Sequence, residues 1–350
     1  MKRSITTIII LFSFFAEAAG QTTILIRHAD RDTAYIKDYY RKHLILRAYE
    51  STKFNNFKLI DGSDKLVYKP NDHDNFGIGF IYRFISINIG FYIPGVGKNR
   101  DIYGKTHSLD LQTHLYVHRF IIDFYGQFYR GYYLANSSSV TNNLPPGQIV
   151  TRPDIDTRDI TLEVQYVFND RRFSYNAPFY QNELQKKSAG SFLLGGGFYH
   201  FDARADSAFT PTDVNYSNFF QNYRFNKCSN TGMGINGGYG YTVVIKKMFF
   251  ITEMLSLGAG FNYSQLTSST SGNDNGKFGL GLNVSEKFAA GYSTDKYFAG
   301  ITYIRLVTED NSIAPKTWQE VNTGNFRFIV AKRLRLKKAL IPKSELLNME

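Results

Sequence analysis

The sequence predicts an all-β chain, a transmembrane antiparallel up-and-down β-barrel of about twelve strands, in any case an even number from about 10 to 14. Three observations predict it. Side chains alternate between apolar and polar over long runs, the runs exceed the length of soluble strands, and the connections between them are alternately tight and long. The segment SLDLQTHLYV shows the first. Leu109, Leu111, Leu115 and Val117 fall on one parity, and Ser108, Asp110, Gln112, His114 and Tyr116 on the other. Successive side chains of a strand point to opposite faces, so one face of this strand is apolar and the other polar. In an outer-membrane barrel the apolar face meets lipid and the polar face lines the lumen.

The chain has 350 residues, a net charge of +11, 43% hydrophobic residues and a mean hydropathy of -0.29. Residues 1–20 read as a secretory signal peptide: Lys2 and Arg3, an apolar run from Ile8 to Phe15, then Ala16-Glu17-Ala18-Ala19-Gly20 before a cleavage point at Gln21. The run is shorter than the roughly 20 residues of a spanning helix. Removing Lys2, Arg3 and Glu17 from a net +11 leaves +10. Cys228 is the only cysteine, so no internal disulfide is available and no lipoprotein anchor follows the leader.

Residues 21–43 form a periplasmic N-terminal arm, in which Thr33–His43 reads as a short polar helix or an ordered arm. The barrel spans 44–334 and residues 335–350 are a basic periplasmic tail. Candidate strands are 44–52, 76–83, 85–93, 106–117, 120–133, 158–168, 189–202, 230–245, 248–264, 277–292, 296–308 and 323–334. Several match the roughly 9–11 residues that cross a bilayer at a tilt. Tight connections fall at Arg83–Ile85, His118–Arg119, Lys246–Lys247 and Ser293–Lys296; long ones at 94–105, 134–157, 203–229, 265–276 and 309–322. Short periplasmic turns and long extracellular loops produce that alternation. The connection at 169–188 breaks it, being long where a short one is expected. Phe and Tyr number 30 and 25, many of them near strand ends where aromatic girdles sit. Glu253 falls on the lipid parity and requires a place near the interface or in a bulge. A soluble secreted all-β binding protein explains the alternation, but not the strand lengths together with the alternating loops.

The blocks LVYKPNDHDNFGIGFIYRF, YGKTHSLDLQTHLYV, IDFYGQFYRGYY, VFNDRRFSYNAPFYQNELQKKSAGSFLLGG and FRFIVAKRL resemble the Bacteroidetes outer-membrane barrel family catalogued as domain of unknown function 4421. The resemblance covers nearly all of the mature chain. It implies an outer-membrane barrel of unassigned activity and brings no catalytic residues with it.

Candidate chemistry is sparse. Gly232-Met-Gly234-Ile-Asn-Gly237 matches a dinucleotide fingerprint, but lies in an alternating strand instead of a strand-to-helix turn. His107, His114 and His118 cluster around Asp110, yet residues four apart on a strand are about 13 Å apart, so no metal is expected. No cofactor is expected either. Ser108, His114 and Asp123 supply the residue types of a lipid hydrolase, but on the lumen parity and without a supporting motif. The chain is therefore read as not an enzyme.

Lys332, Arg333, Arg335, Lys337, Lys338 and Lys343 fit lipid phosphates better than nucleic acid in an exported barrel. Lys186 and Lys187 read as reaching into the lumen. The expected partners are outer-membrane lipids and lipopolysaccharide, a small hydrophilic solute, and the barrel assembly machinery during insertion.

The functional reading falls on the lumen row. Ser108, Asp110, Gln112 and His114 lie on one strand, Asp123 and Gln127 on its hairpin partner, and Glu163 and Gln165 one strand on. Such a row is either the wall of a small hydrophilic channel or a hydrogen-bonded network that plugs a structural or binding barrel. In a channel, Asp110, Asp123 and Glu163 would favour cations.

Overall fold

A computed structural model describes residues 31–39, 43–71, 74–82, 85–92, 99–117, 119–142, 144–216, 218–268, 274–312 and 316–337. The proposed signal peptide and most of the basic tail lie outside them. In chain order the strands are β1 (Ile36–Asp38), β2 (His43–Asp61), β3 (Asp64–Pro70), β4 (Asp74–Tyr82), β5 (Ile85–Tyr92), β6 (His107–Val117), β7 (Phe120–Leu134) and β8 (Thr151–Val167). They continue with β9 (Glu183–Gln185), β10 (Ala189–Arg204), β11 (Lys227–Ile245), β12 (Phe249–Thr267), β13 (Asp274–Ser293), β14 (Tyr297–Asn311) and β15 (Thr317–Arg335).

Each of the twelve expected segments contains a strand, but the ring they form is not the expected one. The hydrogen-bonded circuit runs β2-β15-β14-β13-β12-β11-β10-β8-β7-β3 and back to β2, ten antiparallel strands in all. The closing strand, β3, was not expected. Asp61-Gly62 turns the chain, with Gly62 at φ 59°, and β3 then bridges β2 to β7 at the long-loop end. Toward the short-turn end β2 continues with β4 and β5, while β7 continues with β6. Among the described residues no pairing joins β5 to β6. The described part of Thr33–His43 is likewise a turn and a strand: β1 pairs with β9.

The wall is inside-out relative to a soluble barrel. On its outer face Phe278, Ile235 and Phe261 are 78%, 73% and 72% exposed, while Lys287 and Glu163, facing inward, are 2% and 1% exposed. Parity sets this. On β12, Leu255, Leu257 and Phe261 point out, and Ser256 and Asn262 are buried within. Glu253 is exposed on the outer face, in unbroken register with Tyr241 and Phe288, four residues above the turn. It therefore lies near the rim, with no bulge. A bulge does occur on β7 between Arg130 and Tyr132, where Gly131 has φ 90° and a Cβ would lie 2.2 Å from the Lys105 carbonyl oxygen.

Both ends of the ring are filled. At the long-loop end Phe57, Tyr68, Phe201, Phe209, Phe220 and Phe225 form one buried cluster, with Phe57 and Tyr68 rings 4.9 Å apart. At the short-turn end the segment 169–188 folds inward. This is the physical reason for its anomalous length: it is not a turn but the contents of the mouth.

Candidate functional site: the barrel lumen

The site begins with the hairpin β6–β7. Its register sets Asp110 opposite Gln127 and His114 opposite Asp123. One strand further, Asp123 faces Glu163 and Gln127 faces Asp159. Side chains of one parity project into the lumen, and with every strand contributing they meet across it. Asp110 accepts from Gln127 Nε2 at 2.7 Å and from the Tyr129 hydroxyl at 2.6 Å, and pairs with Lys53 Nζ at 3.1 Å. Asn55 donates to Gln127 Oε1 at 3.1 Å and to Asp159 Oδ2 at 3.3 Å. Gln112 accepts from Asn325.

At mid-height Lys287 is the centre. Its ammonium donates to Asp123 and lies 4.0 Å from Glu163 Oε2, and it sits 5.6 Å from the Tyr175 ring. Glu163 also accepts from Asn236 Nδ2 at 2.8 Å and from Ser285 at 3.0 Å. Gln165 donates to Asn236 at 3.1 Å and to Ser256 at 2.8 Å. A charge taken out of water is tolerated when it is paired and hydrogen-bonded. Here each of the three carboxylates expected to attract cations already has an ammonium partner.

Below this network lies the plug. Phe173, Tyr175 and Phe179 are buried against Ile121, Phe250 and Met254 from the wall. Gly240 makes room: a Cβ there would lie 3.0 Å from the Phe173 ring. Polar bonds tie the plug to the N-terminal arm and to β15 of the wall. Arg31 pairs with Glu183 at 3.0 Å, Tyr39 N–H donates to the Asn182 carbonyl at 2.9 Å, and Arg333 donates from Nε to the Gln181 carbonyl at 2.7 Å. At the rim Asp295 joins Lys37 Nζ at 2.8 Å and the Tyr39 hydroxyl at 2.6 Å. Those two bonds, Lys37 first, hold its carboxyl below the usual aspartate range. Two voids inside are about 10 Å³ each, one beside Asp159, Thr161 and Thr323 and one beside the plug at Pro178. Each has room for about one water.

The structure thus brings Asp110, Gln112, Asp123, Gln127, Glu163 and Gln165 into one network. Ser108 does not join it; exposed and opposite Tyr129, it lies six residues from His114 along β6, about 20 Å at ~3.3 Å per residue, so the hydrolase constellation does not form. Of His114 only the backbone register is described. Lys186 and Lys187 are exposed at the mouth, not in the lumen: Lys186 Nζ donates to the Thr33 carbonyl at 2.6 Å and Lys187 lies 5.4 Å from the Tyr35 ring. The glycines from 232 to 240 lie within β11, as their alternation implied. Among the described residues no group of metal-ligating side chains gathers.

Lys287, Lys53, Asn55 and Asp159 were missed by sequence reasoning. Parity could have found Lys287, which shares its face with Asn283 and Ser285.

No curated protein sequence matches the chain. Among solved structures it is similar to the outer-membrane protease OmpT from Escherichia coli, at 10% identity over 83% of this chain and 95% of that one, with a TM-score of 0.31. It is similar also to the translocator domain of the autotransporter NalP from Neisseria meningitidis, at 10% identity over 95% and 98%, with a TM-score of 0.30. Scores at that level carry nothing about what this chain binds or converts. The family described as a domain of unknown function (DUF4421) matches residues 30–331, and the chain belongs to it.

Proposed function

We propose that the protein is an integral outer-membrane barrel with a closed lumen, a structural or binding barrel and not a diffusion pore or a hydrolase. The observation that carries the reading is the filled interior: an ion-centred network at mid-height, an apolar cluster above it and a plug below, with two voids of only about 10 Å³ beside the network and the plug. The exposed apolar belt supports the membrane placement, since outward Phe, Leu and Ile at this density have no covering layer among the described residues. In that setting lipids and lipopolysaccharide contact the belt, and the barrel assembly machinery inserts it.

The test is planar-bilayer conductance on the refolded, heat-modifiable protein. A silent bilayer is expected, together with no lipid hydrolysis by wild type. Cation-selective steps that weaken in Asp110→Asn plus Glu163→Gln would overturn the closed reading in favour of a channel.

A further inference from the structure

A closed ring presents a convex outer wall, yet across β14, β15, β2, β4 and β5 that wall carries a cleft of about 710 Å³. Sites for small molecules occupy roughly 300–1,000 Å³. Register builds the cleft. Ala299 pairs with Val330, Val330 with Ala48, and Ala48 with Ile78, an outward row running across the sector. Ala48 and Ala299 are short, so the floor sinks on either side of Val330, which pairs with both, while Ile78 and Phe80 stand along its β4 side. The next row toward the short-turn rim contains Lys332, paired with Tyr297 on one side and with Leu46 on the other. Its Nζ lies 5.9 Å from the Tyr297 ring, and among the described residues no salt bridge joins it to a carboxylate. Lys296 and Arg335, both exposed, add positive charge at the same rim.

An apolar cleft that ends on an unpaired ammonium is matched by a molecule that is apolar along its length and anionic at one end. We propose that this cleft is a binding site for one anionic phospholipid of the leaflet at the short-turn end, its acyl chain lying over Ala48 and Ala299 and its phosphate meeting Lys332. The site rests on the membrane reading above. Charge complementarity selects this occupant: a lysine beside an anionic lipid surface is worth about fivefold in local occupancy.

The full-length barrel is reconstituted in phosphatidylcholine vesicles containing a trace of phosphatidylglycerol with a photoactivatable acyl chain, and the labelled peptides are mapped. Labelling is expected to concentrate on Ile78, Phe80 and Val330 over the outward residues of β11–β13. It should exceed that from photoactivatable phosphatidylcholine about fivefold, the preference disappearing in Lys332→Gln. Ile78→Trp should fill the cleft and lower its labelling without altering heat-modifiable mobility. Even labelling around the belt, no headgroup preference, or chain-to-chain crosslinks at the cleft would overturn the site while leaving the membrane reading intact. Absence of labelling anywhere on the belt would overturn both.

Discussion

At mid-height the lumen is spanned by charge: Lys287 stands between Asp123 and Glu163, each fully buried. At the short-turn mouth it is filled instead by rings, with Phe173 and Tyr175 wholly buried and Phe179 beside them. The two regions tolerate change differently. Removing one member of an ion cluster leaves its partners charged and dry, whereas removing a ring leaves a hole into which neighbours can relax. The first region is all-or-none; the second is graded. The first is also part of the wall, and the second is a separate segment resting inside it.

The sharpest way to break this contrast is Lys287→Met. It strands Asp123 and Glu163 together, and a loss of about 3–5 kcal/mol is expected in urea unfolding of the micelle-bound barrel. Adding Asp123→Asn and Glu163→Gln should recover most of it; a triple variant as unstable as the single one would show that packing, not charge, sets the cost. Next comes Phe173→Ala, expected to loosen the plug by about 3 kcal/mol. Here the expected signature is new proteolysis at Arg171 and Arg172, with the barrel's own unfolding midpoint unchanged. A matching fall in both would mean plug and wall unfold as one unit.

A smaller effect concerns pH. The folded carboxyl of Asp295 is depressed, so its contribution is present above the unfolded aspartate range near about pH 4 and fades as pH drops through the folded value. Cleavage after Lys37 by an acid-active protease should rise on that acidification, and Asp295→Asn should show the raised rate at neutral pH. The smallest effect is at the turn between β11 and β12, where Lys246 and Lys247 both have positive φ, 50° and 59°. Asn-Gly is the pair such turns favour, so Lys246→Asn with Lys247→Gly should stabilise by about 1 kcal/mol, read from the same urea curves.

Much of this was legible in the sequence because the side-chain period of a strand is fixed. Parity and the tight connection at His118–Arg119 placed Asp110, Gln112 and His114 on the face they share with Asp123 and Gln127, with Glu163 and Gln165 one strand on; the register then set Asp110 opposite Gln127 and Asp123 opposite Glu163. What parity lacks is distance across the lumen. Asn236 reaching Glu163 and Lys287 reaching Asp123 join strands far apart in the ring, and no local pattern encodes which inward residues meet. The strand β3 was a different failure. Asp61-Gly62 between alternating segments is a hairpin signal, but seven residues ending in Pro70 are short for a membrane strand. The role of β3 is closure at the loop end, which strand length does not signal. The anomalous length of 169–188 was visible; that it turns inward was not, since Phe173, Tyr175 and Phe179 read equally well as a rim.

The arrangement of plug and seam also orders events in time. Residues 170–185 follow β8 closely in the chain, whereas the ring seals only when β15, at one end of the described residues, meets β2, near the other. That contact spans the greatest separation in the sequence, and joining distant segments is the slow kind of step in folding. Until it happens the sheet is an open sling whose inner face can be reached from the side. Afterwards the loop end is capped and the mouth occupied. The contents must be laid in while the sling is open, which makes the slowness of the last pairing useful: it gives Lys287 and Phe173 time to find their partners before the wall shuts around them.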